Sequence, residues 1–173
     1  MSDSAPPGAL ITAAAAALLG RLQDQHGPVM FHQSGGCCDG SSPMCYPRGE
    51  FLVGDRDVLL AVLDLGDEQG ADGVPVWISG PQYQSQYQGE SHTQLIIDVV
   101  PGRGGGFSLE APEGLRFLSR GRVFSDAEKE LLRDVQVITG AAYERGERPS
   151  SCGHIVEFDD KTPLPGTCPT PQR

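Results

Sequence analysis

Between Glu50 and Phe124 the chain never stays apolar for longer than one short strand before Gly, Pro or Asp interrupts it. The runs are EFLVG (50–54), DVLLAVLDL (57–65), VPVWIS (74–79), TQLIIDVV (93–100), FSLEA (107–111) and LRFLSRGRVF (115–124). β-Branched and aromatic residues recur in them, while GDEQGADG (66–73) and PGRGGG (101–106) read as turns. Segments this short suit strands better than helices, so the pattern predicts a β-rich body.

Helical signals flank that body. Thr12 is placed to cap a helix over 13–25, with Ala15, Leu18 and Leu22 as its apolar stripe and Gly27 as its stop. PVMFHQS then alternates, Val29 and Phe31 against Met30 and His32, as a half-buried strand does. Far along the chain, SDAEKELLRDVQVITGAAYERG reads as a second helix. Ser125 and Glu128 form its capping box, and Leu131, Val135, Ile138 and Ala142 form its stripe. The expected organisation is a flexible segment 1–9, a single α+β domain over 10–145 with a helix at each end, and a disordered tail over 146–173.

The net charge of −10 excludes a phosphate-tracking nucleic-acid binder and an anionic membrane surface as partners. No apolar run reaches the roughly 18 residues that a membrane span needs. ALITAAAAALLG has no Lys or Arg before it and Asp3 precedes it, so it reads as mature structure rather than a signal core. The expected compartment is cytoplasmic, where five cysteines, an odd number, suit reduced thiols or metal ligation better than a disulfide framework.

Three of those cysteines fall in HQSGGCCDGSSPMCYPRGEF, residues 32–51. Thiolates are strong soft-metal ligands and strong nucleophiles, so the cluster has several readings. In the first, Cys37, Cys38 and Cys45 hold a zinc, iron or copper ion, with His32, Asp39 or Met44 completing the shell. In the second, neighbouring thiols cycle through a disulfide, with Cys45 resolving one of the adjacent pair. In the third, a thiol is a catalytic nucleophile with His32 or His92 as base. The plain structural alternative is that these are small buried apolar residues under a glycine turn. Gly35, Gly36 and Gly40 favour a loop that wraps a ligand, and metal ligation ranks first.

Elsewhere the signals are weaker. His26 sits at a helix C-terminus and needs no function, His92 fits a strand entry, and His154 lies beside Cys152 in the tail. PGRGGGF has Phe107 where a nucleotide-binding loop needs glycine, so it reads as a turn, with Arg103 at its tip. Arg116, Arg120 and Arg122 share one strand face, either as a solvated face or as a surface for an acidic partner.

Two resemblances rest on these residues. HQSGGCCDGSSPMCYPRGEF followed by HTQLIIDVVPGRGGGFSLEAPEGLRFLSRGRVF resembles the small bacterial proteins described as aldehyde-dehydrogenase-associated, over about residues 10–130. That resemblance implies an accessory role in aldehyde metabolism, with an aldehyde dehydrogenase as partner. More faintly, ITAAAAALLGRL, GGCCDG, GVPVWIS, QLIIDVV and GGGFSLEAPEG resemble the HesB-like, A-type iron–sulfur carrier pattern, which puts Cys37 in the place of the first cluster cysteine. The closing Cys-x-Cys of that pattern is missing, an extra residue sits in the glycine-cysteine loop, and Cys152 and Cys168 lie beyond an added helix. The resemblance therefore implies the fold more than an iron–sulfur cluster. The rival expectations are a thiol-based redox protein or thiol enzyme, and a metal-free interaction module docking through the arginine face.

Overall fold

The computed structural model describes residues 5–34, 43–66, 73–86, 93–102, 108–149 and 151–157. Its mixed α/β architecture is the α+β class that the sequence predicts, with nine strands, four helices and one 3-10 turn among the described residues. One sheet runs β7-β6-β1-β9, from Leu115–Val123, Thr93–Pro101, Ala9–Thr12 and Ile155–Val156. The other runs β3-β2-β5-β4-β8, from Met44–Pro47, Val29–Gln33, Val74–Ile78, Val58–Leu63 and Ile138–Thr139.

The first helix forms where its signals place it. α1 is Ala13–His26: Thr12 takes an extended conformation, its hydroxyl accepts from the Ala15 N–H, and Gly27 closes the helix at φ 80°. Ala15, Leu18, Leu19 and Leu22 face inward and meet Ile11, Phe31, Ile78, Leu95, Ile97 and Phe117 from both sheets. Phe31 and Phe117 pack edge to face at 4.9 Å, an arrangement that contributes about 0.5–1.5 kcal/mol beyond burial alone. This is the main core, and it lies between the sheets.

Four expectations differ from what forms. Residues 50–54 are a turn and an irregular segment rather than a strand, because Gly54 is drawn into a local turn by Asp57. Of FSLEA, residues 108–110 make a turn and Ala111 opens a 3-10 helix (Ala111–Glu113), with Phe107 outside the described residues. The second predicted helix is two short ones. α3 is Asp126–Leu132, with the predicted Ser125/Glu128 capping box, and α4 is Gly140–Glu144, capped afresh by Thr139. The break leaves Leu131 and Val135 exposed while Ile138 and Ala142 are buried. β-Branched Val135, Val137 and Ile138 favour extended backbone, and β8 pairs antiparallel with β4. Finally, residues 153–156 of the expected tail meet the sheets. The Gly153 N–H donates to the Val62 carbonyl, and β9 pairs parallel with β1. α2 is Gly80–Gln86, following β5.

Candidate functional site

The β2–β3 hairpin positions the candidate site. Opposed residues of an antiparallel pair share a face, and neighbours along a strand alternate. Phe31 stands opposite Cys45, and His32 opposite Met44. Cys45 therefore points into the main core with Phe31, whereas His32 points to the other face of the sheet, beside Trp77. The structure places Cys45 and His32, the described half of the metal set Cys37, Cys38, Cys45, His32, on opposite faces of the sheet. Cys37 and Cys38 lie outside the described residues, as do Asp39, His92, Arg103 and Cys168.

Cys45 is fully buried, and its surroundings explain its chemistry. Its N–H donates to the Ser108 hydroxyl oxygen at 2.9 Å, and its carbonyl accepts from the Leu109 N–H. Ser108 in turn donates to the Glu110 carboxylate, whose other oxygen accepts from the Phe117 N–H at 3.3 Å. Burial pushes the Glu110 carboxyl up. Burial, and then the charge of Glu110, push the Cys45 thiol far up as well. A thiol held protonated in hydrocarbon is neither a ready ligand nor a nucleophile. Cys45 packs as a residue of the main core.

His32 is in a different situation. Its imidazole is 4% exposed, yet both ring nitrogens have partners. Nε2 lies 2.9 Å from Asp57 Oδ2, and Nδ1 lies 2.7 Å from the Ser34 hydroxyl. A carboxylate only accepts, so in the neutral ring Nε2 carries the proton and Nδ1 presents its lone pair to Ser34, which donates. Phe51 roofs the ring at 4.4 Å and itself stacks on Tyr46 at 4.6 Å. Met30, Leu59, Trp77, Ile138 and Ala142 make up a second, smaller core around this face.

Asp57 sits just ahead of β4, and its Oδ2 also accepts from the Gly54 N–H at 2.9 Å. One oxygen thus orients the imidazole and closes the turn that carries the roof. Ser34 is exposed at the end of β2, one residue before the glycine-cysteine segment begins. The arrangement can hold a basic nitrogen in a fixed direction and can pass a proton between a hydroxyl and that nitrogen. A carboxylate-backed histidine is also the outer arrangement found behind many metal ligands. Among the described residues, no group of three or more His, Cys, Asp or Glu is gathered as a metal site.

The remaining candidates are placed plainly. Arg120 pairs with Asp98 at 2.7 Å, and Arg122 pairs with Glu128 at 2.6 Å and reaches Gln94. Burial alone would raise Asp98, but hydrogen bonds from Arg120, the Val99 N–H and Thr12 hold its carboxyl below the usual range. These two arginines serve the fold, and among the described residues the buried Nε of Arg116 has no hydrogen-bond partner. Cys152 is an exposed free thiol. Sequence reasoning missed both partners: period-2 spacing after His32 could have found Ser34, whereas Asp57, far off in sequence, carried no signal.

Among the described residues no helix is long and apolar enough to cross a membrane. Residues 18–123 match the family described as "Domain of unknown function (DUF779)". No curated protein and no solved structure matches the chain.

Proposed function

The chain belongs to the DUF779 family, and we propose that it is a small accessory enzyme of aldehyde metabolism whose chemistry is run by the Asp57–His32 pair. The observation that carries this reading is the placement of the His32 ring, with Nε2 2.9 Å from Asp57 Oδ2 and Nδ1 2.7 Å from the Ser34 hydroxyl, which in the neutral ring puts the proton on Nε2. In this reading Nδ1 takes the proton from a nucleophile as that nucleophile attacks a carbonyl carbon, then returns it to the carbonyl or leaving oxygen. The nucleophile is the Ser34 hydroxyl, or a thiol of Cys37 or Cys38, three and four positions further along the sequence. The placement in aldehyde metabolism, beside an aldehyde dehydrogenase, rests on the sequence resemblance alone.

p-Nitrophenyl acetate tests the chemistry. The expected outcome is stoichiometric acetyl transfer to Ser34, Cys37 or Cys38, located by peptide mass mapping and lost in His32→Gln. Acetylation equally fast in His32→Gln would remove the proposal.

The same tautomer favours a second reading, a metal centre. Nδ1 and the thiolates of Cys37 and Cys38 would hold zinc, iron or copper, with Asp57 behind the imidazole and Cys45 outside the ligand set. Protein purified without air would then carry metal that Cys37→Ser loses and Cys45→Ala keeps, and a metal-free wild type ends this reading. An iron–sulfur cluster has no support beyond the fainter resemblance. Docking through Arg120 and Arg122 would have to break ion pairs that the fold uses.

A further inference from the structure

The pair Asp57–His32 lies within the family-matched stretch, but part of what holds Asp57 lies outside it. The Asp57 carbonyl accepts from the Gly140 N–H at 2.8 Å, and the Asp55 carbonyl accepts from the Ala141 N–H at 3.4 Å. Gly140 is packed so tightly on the Gly54 carbonyl that a Cβ there would come within 2.1 Å of its oxygen and 3.3 Å of a Val53 methyl. Gly54 is the residue whose N–H binds the same Asp57 oxygen as His32. The start of α4 is therefore a floor under the turn 54–57. Thr139, whose hydroxyl accepts from the Ala142 N–H, holds that floor in place.

We infer that Gly140 is a positioning residue: through it, the segment beyond the family-matched region sets Asp57 against His32 and so completes the site. This deepens the reading of Asp57–His32 as the working pair and rests on it. A side chain at Gly140 has no space to occupy unless the Gly54 carbonyl retreats. The turn that moves carries Asp57 with it, and the imidazole loses the acceptor that fixes its tautomer. Misplacement of a reacting group by about 1 Å can cost on the order of a hundredfold in rate.

The test uses Gly140→Ala in the full chain with two readouts. The first is the His32 Nε2–H signal in imidazole-tuned proton–nitrogen spectra, assigned by its disappearance in His32→Gln. The second is the rate of acetyl transfer from p-nitrophenyl acetate. Far-UV circular dichroism reports the fold. The expected result is a folded variant with at least about tenfold faster exchange of the Nε2 proton and acetylation slowed about a hundredfold. A folded Gly140→Ala with the proton and the rate unchanged overturns the inference. Should Gly140→Ala not fold, Thr139→Val decides, since it loosens the floor without adding bulk against Gly54. Partial loss of Nε2–H protection supports the inference, and wild-type protection overturns it. The spectra separate the two readings: no acetylation in the wild type removes the enzyme proposal, while the Nε2–H signal still judges the role of Gly140.

Discussion

The two faces of the β2–β3 hairpin have opposite fates. On one, Phe31 and Cys45 are sealed in hydrocarbon, and a side chain capable of chemistry is silenced by burial. On the other, His32 is almost as deeply covered, yet each of its nitrogens has a polar partner and one partner reaches the surface. Near-equal burial thus leaves two side chains in unlike settings, and the imidazole has a hydrogen-bonded path outward. Among the described residues Cys45 has its backbone bonds and no such path for its sulfur, whereas His32 has Ser34.

Substitutions on the two faces should break different things. The largest effect is expected on the core face: Phe31→Ala leaves a cavity beside Phe117 and should cost about 3–5 kcal/mol, seen as a large fall in Tm or denaturant midpoint. On the other face, Asp57→Asn should leave the fold in place and slow acetyl transfer about a hundredfold, equivalent to about 2.7 kcal/mol of barrier. The reason is tautomeric. The amide oxygen that replaces Oδ2 still meets the Gly54 N–H but is a weaker acceptor than a carboxylate, so the charge-assisted bond that keeps the imidazole proton on Nε2 is lost. Retained rate in Asp57→Asn would show that orientation by the carboxylate is irrelevant.

Cys45→Ala comes next, with a loss of about 1–2 kcal/mol for the removed sulfur and its packing. It should leave acetyl transfer and any bound metal unchanged, and native Cys45 should resist iodoacetamide until the protein unfolds. Rapid native alkylation at Cys45 would collapse the contrast between the faces.

The smallest effect concerns acid. Because Asp98 has its folded-state value depressed, its stabilisation is present above the ordinary aspartate range near about 3.9 and is lost as pH falls through the depressed value. Wild-type Tm should therefore fall on acidification by more than that of Asp98→Asn, and parallel curves would contradict the assignment.

Much of the fold was readable because its signals are local. Thr12 and Gly27 bound α1, and Ser125 with Glu128 starts α3. The alternation of 29–33 also states which residues share a face. The second helix misled because Leu131, Val135, Ile138 and Ala142 keep helical spacing across a stretch that the sheet claims instead: Ile138 pairs with Leu59, a tertiary contact with no local trace. The same holds for the site. His32 and Cys45 were named together since both flank one glycine-rich segment, and their opposite faces follow only from the register Phe31–Cys45. Asp57 and Gly140 are remote from His32 in sequence, and spacing says nothing of them.

β1 lies between β6 and β9, so Ile11 stands in register with Ile97 on one side and with Ile155 on the other. A ribosome releases these three stretches in widely separated order. The earliest strand must wait with one edge open for the middle of the chain, and with the other open until nearly the last described residues emerge. Long-range closure of this kind slows folding. Cutting the protein before Ile155 should therefore leave a sticky, unfinished border at its oldest strand.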